Sequence, residues 1–351
     1  MASVTREAVL AHLEANDSLV GQNLSGLDLS SLVLDGANLR ETTLNGARLN
    51  GTHLRDATLA DASLCGADLR GANLQGADMQ NCSLCGADLR GADMRGANLQ
   101  GADMHGVDMR GCDVSNEANL RGTNLNGVRF EGVNLRGVNL FLANLNAANL
   151  SKFDMPQVNL GAAHLNKIDL SEANLSEANL SEAHLNGANL SYANLYKATL
   201  RWAELDGANL SHANLNEADL READLYRANL FAADLREANL REANLRGGVN
   251  LTDANLTDAN LRRAYIHGAY LGGANLRKAD LLGANLSGSI ILARTDMSEA
   301  NVCKADMSKV NLNNANLIGA VYDNGTRWPD DFQPLAAGAF HIHTAEPAGD
   351  E

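Results

Sequence analysis

The sequence predicts an all-β solenoid of four-sided coils, with a short helix closing its start and an irregular segment closing its end. Three observations predict it. A large apolar residue, here called the centre, recurs every five positions from Leu24 onward. The residue two before each centre is usually Ala, and the one between is usually Asn or Asp. Aromatic residues are only 4% of the chain although hydrophobic residues are 45%. Interiors usually rely on Phe, Tyr and Trp for volume, so a Leu and Ala core must be narrow and regular.

A period of five fits neither ordinary element. A helix of 3.6 residues per turn would smear the centres around its circumference. An uninterrupted strand would send alternate centres to opposite faces. Three extended residues followed by a two-residue corner solve the problem. Centre and Ala then point inward, the Asn or Asp between them points outward, and four sides close a coil of 20 residues.

The first element precedes the repeat, in residues 1–21. Val4 to Asn16 (VTREAVLAHLEAN) carries Val9, Leu10 and Leu13 at helical spacing. Such spacing gives one apolar face, and we expect a capping helix, because an open end of a coil exposes backbone groups.

The repeat fills residues 22–323. Its register slips by one residue at three places, read as Val114 to Leu120, Leu245 to Leu251, and Ile291 to Met297. Sixty centres result. Seven are Met (Met79, Met94, Met104, Met109, Met155, Met297 and Met307), which leaves only the initiator outside the repeat. Met here substitutes for Leu and does not build a Met-rich surface.

Two stretches depart from the pattern. Between about 126 and 170, Val128, Val133, Val138, Phe153, Val158 and Ile168 take the Ala position, Phe130 takes a centre, and Pro156 removes a donor. Bulk at a position sized for Ala overpacks it, so this section should be wider or less regular. The second corner residue is often Gly early in the chain, as at Gly36 and Gly46. From about 171 to 245 it is often not, as at Glu172, Glu177 and Glu182. Gly supplies positive φ in turns, so corner geometry is expected to differ between these stretches.

The last element is residues 324–351. The repeat breaks at a Trp328-Pro-Asp-Asp-Phe332 segment, a candidate cap, and the chain from about 336 reads as a frayed tail.

The A-[N/D]-L-x-x run, as in Ala37-Asn38-Leu39-Arg40-Glu41, resembles the pentapeptide-repeat family over about residues 22 to 323. That resemblance implies a right-handed quadrilateral β-helix of about 15 coils. At about 4.8 Å per layer it would be roughly 70 Å long, each coil leaning only on its neighbours. The end segment around Trp328 also resembles the closing segment of many members.

Columns 20 residues apart stack, so the sequence reports spatial neighbours. Arg70, Arg90 and Arg110 share one column; Arg201, Arg221, Arg241 and, across a slip, Arg262 share another. Beside Glu222 and Glu242 they read as exposed ion-pair ladders worth about 0 to 1 kcal/mol per pair. Cys65 and Cys85 stack outward, and two free thiols are expected, because parallel in-register side chains suit a disulfide poorly. Cys82 and Cys112 sit at Ala positions as small core residues. His164 and His184 stack without a third ligand at matching spacing. The outward aromatics cluster along the chain: Tyr226, Phe231, Tyr265 and Tyr270, with Tyr192, Tyr196 and Trp202 a little earlier. They are the candidate partner-binding patch.

Several functions are disfavoured. The chain shows no nucleotide-binding, serine-hydrolase or zinc-protease motif, and a filled coil offers no pocket for tuned acid–base chemistry. No enzyme, cofactor or metal site is expected. A net charge of −15 disfavours direct nucleic-acid binding and favours a basic or cationic partner. No apolar run reaches the roughly 20 residues of a membrane span, no secretory signal is seen, and an odd cysteine count suits a reducing cytoplasm. The reading is a non-catalytic scaffold for a protein partner, monomeric or an end-to-end homodimer. The alternative is an acidic DNA mimic that binds a type II topoisomerase (gyrase), a role some family members play. Phe is rare at the centres here, no side loop interrupts the repeat, and the Arg columns break up the acidic field.

Overall fold

The computed structural model describes residues 5–15, 18–115, 118–288 and 292–342. The chain divides into two compact units, Met1–Ile168 and Asp169–Glu351. Each is a β-solenoid with the same local construction.

The side of a coil is very short. Corners every fifth residue leave room for a single parallel bridge per side, and each bridge joins residues about 20 apart. In the first unit one column runs Asn38, Thr58, Asp78, Asn98, Asn119, Asn139, Asn159; in the second, one runs Asn174, Asn194, Asn214, Asp234, Asn255, Asn275, Asp296, Asn316. Two backbone bonds make each rung, as when Leu185 N–H donates to Glu204 C=O (2.7 Å) and Glu204 N–H donates to Ala183 C=O (2.9 Å). The only two-residue strands among the described residues are β1 (Val321–Tyr322) and β2 (Phe340–His341).

Each position of the repeat has a physical reason. The centres are buried, the seven Met included. Where the Ala position holds a polar atom, that atom finds a carbonyl: Thr42 Oγ1 donates to Leu39 C=O (2.7 Å) and Cys112 Sγ to Leu89 C=O (2.8 Å). The outward Asn or Asp caps the following corner by accepting from the N–H two residues on, as Asn174 Oδ1 does from Ser176 (3.2 Å), an Asx arrangement that favours turns. It also climbs the column: Asn214 Nδ2 donates to Asn194 Oδ1 (2.9 Å), and Asn194 Nδ2 to Asn174 Oδ1 (3.0 Å).

Away from the slips, corner geometry does not differ between the two stretches, contrary to expectation. Gly36 and Gly46 have φ of 67° and 63°, and Glu172 and Glu177 have φ of 58°. One turn recurs, closed by the Ala N–H on the preceding centre's carbonyl (Ala37 to Leu34, 3.0 Å; Ala183 to Leu180, 3.2 Å). Coil closure dictates the left-handed residue. Glu accepts that conformation at a cost of about 1–2 kcal/mol, which the rungs on either side override.

The helix α1 (Arg6–Glu14) starts at Thr5, whose side chain caps Ala8 N–H (3.3 Å). Val4 and Asn16 of the expected helix lie outside the described residues. Its buried face differs from expectation. Val9 is fully buried and Leu13 half-buried, but Leu10 is exposed. At 100° per residue Leu13 lies about 40° from Val9 and Leu10 about 100° away, so a narrow contact admits only the first pair. Arg6 completes the cap by donating to Asp28 C=O (2.6 Å). A cleft of about 500 Å³ remains between Leu13, Leu19 and the Val33–Asn38 side of the first coil.

Within the first unit, the bulky section that begins near residue 126 is less regular than its neighbours. Val133, Val138, Val158 and Ile168 are buried, while Val128 and Phe153 are only half-buried. Asn134 forms no bridge. A cleft of about 250 Å³ opens between Val128, Phe130 and Phe153.

Three further expectations are corrected. The last slip lies between Leu286 and Leu292. Leu292 is the buried centre, its carbonyl accepting from Thr295 N–H (3.1 Å); Ile291 lies outside the described residues. The tail is ordered at least to Ile342: β2 pairs in parallel with β1, and Ala339 is buried, because the coil's last rung still had an edge to offer. Cys65 and Cys85 are joined by a disulfide, with Cα atoms 4.6 Å apart. The spacing of successive layers by itself brings stacked cysteines into disulfide range. Cys82, Cys112 and Cys303 are buried free thiols, so the odd cysteine count no longer argues for a reducing compartment.

At the far end the predicted cap is an aromatic stack. Trp328 lies on Phe332 (centroids 5.1 Å apart) and meets Tyr322 edge-on (5.4 Å).

Candidate interaction surface

Outward side chains occur in two kinds of place, the middle of a side and the two corner residues, and each recurs once per coil. Any surface feature is therefore a column. The arginine columns are ion-pair ladders. Arg70, Arg90 and Arg110 each chelate the Asp two residues earlier through Nε and Nη2 (Asp68, 2.8 and 2.7 Å; Asp88, 2.9 and 2.7 Å; Asp108, 2.9 and 2.7 Å). Arg70 and Arg90 also face the carboxylate one coil on, at 3.7 and 3.8 Å. Sequence reading missed a parallel pair, Arg95 on Asp93 (2.6 Å), although the Asp-x-Arg spacing is the same. These bonds hold Asp93 and Asp108 down to about 2, the Arg95 and Arg110 side chains being the largest cause in each case.

The second column is satisfied as well. Arg201 and Arg221 share Asp219 (2.5 and 2.8 Å), Arg241 takes Glu242 (2.9 Å), and Arg262 takes Asp280 (3.3 Å). Glu222 is not one of these partners. Neither column leaves an open anion site.

The seven aromatics of the candidate patch do not form one surface. Tyr192 stacks on His212 (4.6 Å, 9° between planes), and His212 meets Phe231 edge-on (5.4 Å). These three follow centres 190, 210 and 230 at one corner. Tyr196 and Trp202 belong to the next two corners. Tyr196 donates to Glu217 Oε1 (2.9 Å) and lies beside Lys197, whose Nζ is 5.0 Å from the ring centroid. Trp202 is 51% exposed.

Tyr226, Tyr265 and Tyr270 flank the fourth corner, at the slip between Leu245 and Leu251. The extra residue there makes a pair of left-handed glycines, Gly247 (φ 77°) and Gly248 (φ 82°). The Tyr226 ring crosses Gly247 so closely that a Cβ would overlap it, and Tyr270 lies against Gly248. The Arg246 guanidinium sits 4.3 Å over the Tyr265 ring, and Arg227 lies 5.0 Å from that of Tyr226. All three tyrosines are exposed, by 38%, 42% and 53%. Sequence reading named the tyrosines but missed Arg246 and the glycine pair. The slip was the available signal, because an extra residue in a ladder re-aims side chains.

No group of three His, Cys, Asp or Glu that could hold a metal occurs among the described residues. His184 bonds Glu204 instead (2.8 Å). Burial pushes the Cys82 and Cys112 thiols up to about 12, so neither is a nucleophile at neutral pH. No helix among the described residues is long and apolar enough to cross a membrane.

The model of the family described as "Pentapeptide repeats" matches the chain in overlapping stretches that together cover residues 18–151 and 157–321. The chain belongs to the pentapeptide-repeat family. The unmatched residues between these stretches include Phe153 and Met155-Pro156, inside the irregular section. Solved structures of other members resemble it. HetL, a pentapeptide repeat protein involved in heterocyst differentiation regulation from the cyanobacterium Nostoc sp. strain PCC 7120, is 31% identical over 69% of this chain and 97% of its own, with a TM-score of 0.38. A second protein from Nostoc, alr5209, is 31% identical over 35% of this chain and 84% of its own (TM-score 0.20). QnrB1, a plasmid-mediated fluoroquinolone resistance protein, is 20% identical over 60% and 88% (TM-score 0.26). No curated protein matches significantly.

Proposed function

We propose that this pentapeptide-repeat protein is a non-catalytic scaffold that holds a protein partner against its outward columns. One observation carries the reading. Tyr192, Trp202, Tyr265 and Tyr270 are exposed on a backbone pinned by a hydrogen-bonded rung at each coil. A rigid aromatic presented to solvent loses little entropy on binding, which is what interface anchors require. The buried interior supports the absence of catalysis, since its centres and small residues fill it. Clefts lie at the first coil, between Arg55, Gln75 and Arg95, at the irregular section and beside the end cap, and among the described residues no cluster of catalytic side chains converges on these four.

A photo-cross-linking amino acid placed at Tyr270, Tyr192 or Trp202 in the native cell tests this. A discrete adduct with one protein is expected. Absence of any adduct at all three positions would sink the scaffold reading.

The acidic-mimic reading has less support. A duplex mimic needs unneutralised carboxylates in rows, whereas Asp68, Asp88, Asp108 and Asp219 each carry an arginine.

A further inference from the structure

We infer that the corner formed by Tyr226, Tyr265 and Tyr270 is a docking site for an extended, carboxylate-bearing segment of a protein partner, with Arg246 reading the carboxylate. The inference rests on the scaffold reading and adds the place and the chemistry.

Charge supplies the argument. Nearly every described arginine of the second unit has a carboxylate within 4 Å: Arg201, Arg221, Arg227, Arg236, Arg241, Arg262, Arg263, Arg277 and Arg327. Arg246 has none. The Arg246 guanidinium lies on the Tyr265 ring, an arrangement that restrains the fork without using its in-plane N–H groups. Arg121 on Phe141 (4.3 Å) in the first unit is a second stacked cation without a carboxylate; Arg246 is the one flanked by three exposed tyrosines. The nearby carboxylates are engaged elsewhere. Asp206 takes Arg227 (3.0 and 2.7 Å), Glu242 takes Arg241 and faces Arg263, and Asp224 accepts from Asn244 Nδ2 (2.7 Å) and Tyr226 N–H (3.1 Å).

The surroundings fit a peptide in extended form. The three tyrosine hydroxyls make no hydrogen bond to described residues, so each offers a donor and an acceptor to an incoming backbone. Gly247 and Gly248 let the Tyr226 and Tyr270 rings lie close against the main chain, so the corner offers ring surface in place of side chains of its own. Ring faces supply apolar area and the guanidinium supplies a bidentate carboxylate partner.

Panning phage-displayed random dodecapeptides on the full chain tests the chemistry. The enriched peptide and its Asp-to-Asn, Glu-to-Gln counterpart are then measured by fluorescence anisotropy. Enriched peptides rich in Asp and Glu are expected, with affinity falling roughly tenfold or more on neutralising the peptide or on Arg246→Ala, and falling again on Tyr265→Ala. A Tm and circular dichroism spectrum matching the parent certify that these exposed replacements fold. Peptides without carboxylates, no enrichment, or unchanged affinity for Arg246→Ala would overturn the assignment. The two readings fail separately. A cellular adduct at Tyr270 that forms equally well in Arg246→Ala retains the scaffold and discards the carboxylate site. No adduct at any of the three positions discards the scaffold itself.

Discussion

Glu177 and Gly46 adopt nearly the same backbone conformation, φ 58° and 63°. At the residue scale the fold therefore decides the conformation and the residue adapts. Reading Gly as a conformational signal was sound, but reading its absence as a different corner was not, because rungs above and below override a local preference. Gly247 is the opposite case. It combines φ of 77° with a Tyr226 ring where a Cβ would be. Gly247→Ala should destabilise the chain by about 1–2 kcal/mol and displace Tyr226, read as a lowered urea midpoint and greater tyrosine accessibility. Acid sensitivity also belongs to single residues. Asp93 and Asp108 ionise near 2 when folded and near 3.9 when unfolded. Their contribution is complete above the unfolded value and is lost as pH falls from about 4 to about 2. An Asp108→Asn variant should lose less stability than the parent between pH 5 and pH 2 in urea titrations; an identical loss would contradict the Arg110 attribution.

At the scale of the element, the regular coils were legible and the exceptions were not. Periodicity located the centres, since a five-residue unit with one inward Leu admits a single register. It failed by one residue at the last slip, where Ile290, Ile291 and Leu292 are all apolar and spacing cannot choose between them. It missed β2, because Phe340 and His341 have no repeat around them and become a strand only by meeting β1. It placed Leu10 on the buried face of α1, since sequence does not state how wide a contact a helix finds. The stacked cysteines were seen, but their pairing depends on a distance the sequence does not contain. The section between about 126 and 170 was legible as irregular from its bulk. With Asn134 outside the ladder and Val128 and Phe153 half-buried, it should open more readily than the coils around it. Within the first unit, amide hydrogen exchange should be faster at residues 128–153 than at 60–100. Equal protection would show that the cleft costs the ladder nothing.

At the scale of the whole molecule, composition follows from the repeat. Aromatics are 4% because a centre and an Ala fill each side, so rings are confined to corners, outward sides, the irregular section and the end cap. The −15 charge likewise comes largely from outward Asp and from corner Glu, and arginine columns neutralise part of it. This predicts that the chain is a poor duplex mimic. In a gyrase supercoiling assay, micromolar protein should neither inhibit the enzyme nor protect it from a quinolone; either effect would revive the mimic reading. The candidate surface was half legible: its tyrosines stood out by rarity, whereas their division among four corners and the stacking of Arg246 follow from register and packing.

The Cys65–Cys85 bridge spans 20 residues, one circuit of the coil. A chain pulled from its two ends lengthens as successive circuits peel away. This circuit is tied into a ring and cannot pay out its thread. Fully stretched, the oxidised chain should fall short of the reduced one by about 70 Å of contour, 20 residues at about 3.5 Å each. The molecule therefore carries a knot-like stop at one fixed point along its thread, and a force–extension trace with and without reductant would register it as a single missing step.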